Sequence, residues 1–263
     1  MIVWSSRARA VFAALTFVAI ALIYGAPLLV IVLASVAGQW NGVWPSAPTL
    51  DHFRDALQGD SLEQLRVSLV TAFGASLIAL LIGASAALAL RDVSARLGAV
   101  MNAFFFLPGA MPSVSIGLGL LVAFSRPPLL LNGTIAIVFI AHVTMIAAFA
   151  FGNVAAGLAR LPPDVENVAE SLGANPTYRL LHVTLPMIRP QLAAAFGLGF
   201  ALSMGELGAT MMVYPPGWTT LPVGVFSLSD RGEVFDGAAL TMSLIAATLA
   251  VLWGVGRISR ADA

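Results

Sequence analysis

Residues 161–190 read LPPDVENVAESLGANPTYRLLHVTLPMIRP, a polar island set between long apolar segments. Local chemistry places two short helices in it. Pro162 and Pro163 suit a helix start, Asp164 and Glu166 put negative charge in the first turn, and Gly173 stands where a left-handed C-terminal residue is wanted. A second start follows at once. Asn175 is a good N-cap, Pro176 suits the first helical position, Arg179 and His182 lie toward the C-terminal end, and Leu185-Pro186 is the expected stop. A polar helix pair in this setting has the character of a docking surface. An amphipathic loop lying on a membrane surface is the plainer alternative.

The composition around this island decides the class. Of 263 residues, 59% are hydrophobic and only 10% charged, and the mean hydropathy is positive. That much apolar surface exceeds what one soluble core hides, so the chain belongs in a bilayer. A span needs roughly 20 predominantly apolar residues. Six runs reach that scale, at 11–36, 67–90, 99–124, 135–158, 192–213 and 238–255. The expectation is an all-α integral membrane protein, with 1–263 forming one transmembrane domain. The first run follows Arg7 and Arg9 but exceeds a signal peptide's apolar stretch of roughly 7 to 15 residues, so it reads as a retained helix.

All thirteen basic residues are Arg, and their distribution sets the orientation. With the N-terminus inside, Arg7, Arg9, Arg91, Arg96, Arg160, Arg179, Arg189, Arg257 and Arg260 are cytoplasmic, against Arg54, Arg66, Arg126 and Arg231 outside. Nine against four puts both termini, and the 161–190 island, in the cytoplasm. The zero net charge carries no nucleic-acid signal, and the absence of Cys excludes disulfides and thiolate metal sites.

Outside, 39–64 holds Trp40, Trp44, Pro45 and Pro48 ahead of a helical pattern at Asp51–Leu57, which suits an interfacial aromatic belt and a surface helix. The segment 214–237, YPPGWTTLPVGVFSLSDRGEVFDG, is rich in turn formers and reads as a cap or a re-entrant loop.

Within the spans lies one acid, Glu206, in the sequence SMGELGAT at 203–210. A carboxyl at that depth costs on the order of 2.5 to 3.5 kcal/mol on insertion scales, so it must face protein, water or a partner. It either bonds to backbone and hydroxyl groups and fixes helix packing, or it serves a gate or pathway together with Ser203 and Thr210. Gly197, Gly199, Gly205, Gly208 and Ala209 allow close helix approach. In the third run, LPGAMPSVSIGLG at 107–119 predicts a broken helix near the outer half. Ser113 and Ser115 either line a path there or satisfy the freed backbone.

These residues carry a resemblance. The order helix, Gly turn, helix, Leu-Pro resembles the cytoplasmic coupling loop of binding-protein-dependent ABC importer permeases, whose pattern is Glu-Ala-Ala, three residues, Gly, nine residues, Ile-x-Leu-Pro. Ala169, Gly173, Leu185 and Pro186 match it, and Val183 stands for the Ile. Asn167 and Val168 replace the Glu and first Ala, leaving Glu166 or Glu170 as the substitute acid, with Ala174 following the Gly. Gly205 to Thr210 is similar to the Gly-Glu-aromatic-Gly-Ala-Thr pattern of the type I sulfate, molybdate, ferric iron, thiamine and phosphonate group, with Leu207 in the aromatic place. YPPGWTTLP at 214–222 and SDRG at 229–232 look most like permeases of 2-aminoethylphosphonate uptake.

The resemblance implies a non-catalytic permease subunit of the bacterial inner membrane, without cofactor. It implies a second permease subunit, identical or homologous, two ABC ATPase subunits gripping the coupling loops, and an external periplasmic solute-binding protein that chooses the cargo. A phosphonate is the expected cargo, with molybdate, sulfate, ferric iron or thiamine as alternatives.

Other classes fit the residues less well. Gly74-Ala-Ser76 and Gly83-Ala-Ser85, with His142 as base, imitate an intramembrane serine protease, but close helix packing explains the small residues. His52, His142 and His182 fall at different depths and cannot share a metal, and neither HExxH nor a Walker A sequence occurs. An ion-coupled secondary transporter using Glu206 remains the competing class, and a purely structural scaffold a third.

Overall fold

The computed structural model describes residues 5–91 and 93–261. These fall into two compact units, one within Met1–Leu62 and Gly224–Ser243, the other within Glu63–Val223 and Leu244–Ala263.

The first unit begins with α1 (Ser6–Ile20), a π turn (Ala21–Gly25) and α2 (Ala26–Ser35), which together give an apolar helical run from Ala8 to Ser35. Its side chains are apolar all round and largely exposed, as befits a helix whose neighbour is lipid. A short antiparallel pair follows, β1 (Ala37–Gln39) and β2 (Ser46–Pro48), with Ala37 opposite Pro48. Gly38 is needed there, since a Cβ would lie 2.5 Å from the Ala47 carbonyl oxygen. Next comes α3 (Asp51–Ala56), the surface helix expected from the sequence. Its His52 is held between the Asp236 carboxylate at 2.7 Å and the Ala37 carbonyl at 3.2 Å.

The second unit is built on α4 (Gly59–Ala89), α5 (Ala95–Phe106), α6 (Ser113–Ala123) and α7 (Ile135–Leu158). It continues through α8 (Pro163–Ser171), α9 (Pro176–Arg179), a π turn (Leu180–Thr184), α10 (Leu185–Met187), α11 (Arg189–Met204) and α12 (Gly208–Val213). Two later helices, α13 (Leu221–Asp230) and α14 (Val234–Ala261), contain residues of both units, as does α4 at its first turn. Helix α7 is the hub, packing on α5, α6, α11 and α12. On α4, Ala72, Ala75, Ala79, Gly83 and Ala87 are buried at helical spacing. A Cβ on Gly83 would come within 2.6 Å of the Phe151 backbone nitrogen, so the small stripe lets two long helices approach backbone to backbone. Ser76, from one of the Gly-Ala-Ser triplets, donates back to the Ala72 carbonyl at 2.6 Å and is committed to its own helix.

The six expected spans are not six unbroken helices. Among the described residues, four helices have the length and apolarity to cross a membrane, or five when a bent pair is joined. The run at 99–124 is divided by Pro108 and Pro112 into α5, a 3-10 turn (Pro108–Ala110) and α6, because each proline removes an N–H from the ladder. The run at 192–213 is divided at Gly205–Leu207 into α11 and α12. Leu185-Pro186 does not stop the second loop helix either. A π turn opens the ladder ahead of Pro186, and the helical course continues to Met187 before a 68° bend into α11. Ile188 at the bend is buried in a cluster with Phe151, Val154, Leu158 and Ala195. The segment 214–237, read as turn-rich, contains α13.

Candidate functional site

The polar loop has well-defined hydrogen bonds. Helix α8 starts at Pro163 with Asp164 and Glu166 in its first turn, as the sequence indicates. At its end Gly173 has φ +87°, the Gly173 N–H donates to the Glu170 carbonyl at 2.9 Å, and the Ala174 N–H donates to the Ala169 carbonyl at 3.0 Å. That pair of bonds is a Schellman motif, which satisfies two end carbonyls and requires the left-handed residue that Gly supplies. Asn175 then caps α9, its side-chain oxygen accepting from the Tyr178 N–H at 2.8 Å. Tyr178 stacks on His182 at 4.2 Å between centroids. Leu172, 83% exposed, and Tyr178 border an open hollow of about 450 Å³ that Ala169, Gly173, Ala174 and Asn175 complete.

Two of the loop's three acids, Glu166 and Glu170, are held within the chain. Glu170 pairs with Arg179 at 2.5 Å, which joins α8 to α9 across the Gly turn. Glu166 accepts from Arg91 at 2.8 Å and from the Thr184 hydroxyl at 2.6 Å, both on Oε1. The Arg91 hydrogen bond holds the Glu166 carboxyl below its usual 4.5; burial opposes this, while Thr184 and the charge of Arg179 reinforce it. Leu185 packs against the cluster containing Ile188, and Pro186 is exposed. The loop is thus braced against the segment after α4 and connected through Ile188 to the core.

The second constellation lies where the broken helices meet α7. His142 is fully buried, with Nδ1 2.6 Å from the Ser203 hydroxyl and Nε2 2.9 Å from the Thr210 hydroxyl. The ring therefore links α11 to α12 across the break. Inside the break, Glu206 Oε1 accepts from the Ala209 N–H at 2.7 Å and caps the first turn of α12. A Cβ on Gly117 would lie 2.7 Å from the Ala209 carbonyl, and one on Gly208 2.3 Å from the Ser113 hydroxyl, so α6 and α12 are in close backbone contact.

A cavity of about 210 Å³ opens beside this network, with Glu206, His142 and Ser203 on its wall and Pro108, Met145 and Phe149 among its apolar lining. Ser203 and Glu206 are thus brought together as the sequence suggested. Thr210 stands behind them on the far side of His142. Ser113 and Ser115 do not line this cavity: Ser113 abuts Gly208 and Ser115 is exposed. Among the described residues no group of His, Asp and Glu is arranged to hold a metal ion.

A family model described as "Binding-protein-dependent transport system inner membrane component" matches residues 79–257, more than half of the chain and both constellations. The chain belongs to that family. Among curated relatives, a protein of Salmonella typhimurium that carries the provisional name 2-aminoethylphosphonate transport system permease protein PhnV is 52% identical over 260 residues, 99% of this chain and 98% of the relative. The putrescine transport system permease protein PotI of Escherichia coli is 30% identical, over 87% of this chain and 84% of its own length. Among solved structures, a bacterial ABC transporter involved in import of the acidic polysaccharide alginate matches with TM-score 0.75 at 16% identity, covering 97% of this chain and 96% of its own. That likeness establishes the permease fold.

Sequence reasoning missed several residues of this permease's two constellations. In the sequence Arg91 signals only orientation and Thr184 nothing, yet together they hold Glu166. His142 suggests a catalytic base or ligand by residue type, whereas it bridges two hydroxyls. A histidine in an apolar span is the available signal, since it must find partners on other helices.

Proposed function

We propose that this permease carries 2-aminoethylphosphonate into the cell, with the whole chain acting as one permease domain and forming half of the translocation pathway. The observation that carries the cargo is the 52% identity, spread over 99% of the chain, to the relative provisionally named for that solute. In this reading ATP is hydrolysed by partner ATPases seated on Leu161–Pro190, a solute-binding protein delivers cargo from outside, and both termini are cytoplasmic. Glu166, Ala169, Glu170, Gly173, Ala174, Leu185 and Pro186 form the coupling element, and Ser203, Glu206 and Thr210, with Ser113 and Ser115 on the adjoining α6, belong to the pathway or gate. The hollow beside Leu172 and Tyr178 receives the ATPase, and its motion reaches α11 through the buried Ile188 at the bend, so that rigid-body rocking alternates access.

Deletion of the coding sequence in its host, followed by growth on 2-aminoethylphosphonate as sole phosphorus source, tests the cargo. Growth should stop and return on complementation, while growth on inorganic phosphate continues. Undiminished growth on the phosphonate, with loss of molybdate or putrescine uptake instead, overturns it. Uptake that survives ATP depletion but collapses with an ion gradient would transfer Glu206 to a secondary transporter.

A further inference from the structure

Three polar side chains on α4 form a row of hydrogen-bond acceptors. Gln64, Ser68 and Thr71 stand at i, i+4 and i+7, so they share one face of the helix and follow one another about a turn apart. Against this row the segment before α13 runs in the opposite direction. The Trp218 indole donates to Thr71 at 3.1 Å, and the Leu221 N–H donates to Ser68 at 2.7 Å. All five residues lie in the second unit.

Two donors therefore use two of three acceptors. Among the described residues the third, Gln64 Oε1, is buried and has no hydrogen-bond partner. The same holds for the hydroxyl of Thr220, which lies between the two anchored residues and is 2% exposed. Polar atoms buried without partners are costly, so an arrangement that strands two of them calls for another that uses them. The row itself supplies one for Gln64. Moving the segment toward the N-terminus of α4 by one turn, about 5.4 Å, carries the Leu221 N–H from Ser68 to Gln64 and the Trp218 indole from Thr71 to Ser68. Two bonds break and two form. Thr71 is then released at little cost, because a helical hydroxyl can return to its own i−4 carbonyl, as Ser76 does to Ala72 at 2.6 Å. Slack for the movement lies upstream, where Pro216 and Gly217 are exposed and a Cβ on Gly217, at φ +79°, would meet nothing within 4 Å.

We propose that residues 218–221 are a two-position strap that ratchets along α4, bonded to Ser68 and Thr71 in the state seen here and to Gln64 and Ser68 in the other. One-turn ratchets of this kind change register while keeping the number of bonds, which makes them bistable. The link to transport rests on the alternating access proposed above, and the two positions of the strap do not.

The native chain has no cysteine, so Val70→Cys on the exposed side of α4 and Thr219→Cys on the strap place two spin labels. Labelled transporter that retains uptake is assembled in lipid, and the separation of the labels is read by electron paramagnetic resonance without nucleotide and with ATP and vanadate. Two separations differing by several ångström are expected, with their proportions changed by ATP. Gln64→Leu, which removes the unused acceptor at similar size, should hold the strap in the position seen here and lower uptake at least tenfold, with an equal or higher melting temperature. Gln64→Glu, which keeps an acceptor oxygen, should restore the second separation in part. A single separation under both conditions, or wild-type uptake in Gln64→Leu, overturns the proposal. So does a lowered melting temperature in Gln64→Leu, which would show the amide already bonded to water. Two separations that exchange without regard to ATP would leave the strap standing and overturn the ATP-driven cycle.

Discussion

Arg91 and Glu166, 75 residues apart in sequence, meet at 2.8 Å just beyond the end of α4, and Thr184 donates to the same carboxylate oxygen. One atom thereby gathers the segment after α4, the first turn of α8 and the π turn before α10. Glu166→Gln removes the charge of a partly exposed pair and should cost about 1 kcal/mol, the upper end for such pairs. Glu166→Ala also strands the buried Thr184 hydroxyl, so its cost should rise to about 2 kcal/mol. Hydrogen exchange of the amides of residues 163–187 reads the effect. Equal protection in wild type and Glu166→Ala would show that the brace does not hold the loop.

The same brace has a defined pH window. Because the folded carboxyl titrates below its usual 4.5, its stabilisation is complete above that value and disappears as pH falls through the lower folded pKa. The difference in melting temperature between wild type and Glu166→Ala should stay level from neutral pH down to the usual value and shrink only below it. A difference that shrinks between neutral pH and the usual value would contradict a lowered pKa.

The parts of the chain governed by local chemistry were legible in its sequence. Gly173, Asn175 and the two acids of the first turn announced α8 and α9 because caps depend on near neighbours. The break at Pro108–Pro112 was likewise signalled by its two prolines, whereas the run at 192–213 read as one span and its break around Glu206 was not foreseen. What depended on distant partners was hidden. Nothing local marks Arg91 as the partner of Glu166, or His142 as the link between Ser203 and Thr210. Helix α13 was obscured by the turn formers on both sides of it, and Leu185-Pro186 misled because a π turn carries the helix past the proline.

Gly173 separates backbone strain from crowding. A Cβ there meets nothing within 4 Å, so substitution acts only through its φ of +87°. Gly173→Ala should cost about 1 to 2 kcal/mol of turn stability, the penalty for a left-handed L-residue, and reduce transport partially. Gly173→Pro forbids that φ and deletes the N–H bonded to Glu170, so it should abolish transport while leaving membrane insertion intact. Co-purification of the ATPase with each variant checks this. Retention of both ATPase and uptake in Gly173→Pro would remove the loop from the coupling role.

The buried Leu221 N–H donates to the Ser68 hydroxyl at 2.7 Å, and the Trp218 indole donates to Thr71 at 3.1 Å one turn along α4. These bonds tie the start of α13 and the loop before it to a membrane helix. Ser68→Ala leaves a buried N–H unsatisfied and should destabilise by about 1 to 3 kcal/mol, whereas Ser68→Thr keeps the acceptor and should cost less. Protease cleavage within 214–220 should rise in the Ala variant. No change in cleavage would mean that water replaces the hydroxyl.

Gly117 sets the α6 backbone against the α12 backbone. Its missing Cβ would fall 2.7 Å from the Ala209 oxygen and 2.8 Å from the Ala209 Cα, and backbone atoms cannot swing aside as a flexible side chain would. Gly117→Ala must therefore push the two helices apart, at about 1 to 3 kcal/mol for overpacking. Moving α12 also displaces Thr210 from His142 and the Ala209 N–H from Glu206, so this hydrogen-bond network should loosen along with the packing. Gly119, on the same helix with nothing within 4 Å of its Cβ position, is the control. Gly119→Ala should leave melting temperature and uptake near wild type, while Gly117→Ala lowers both. Equal behaviour of the two variants would refute close α6–α12 contact as the support of the site.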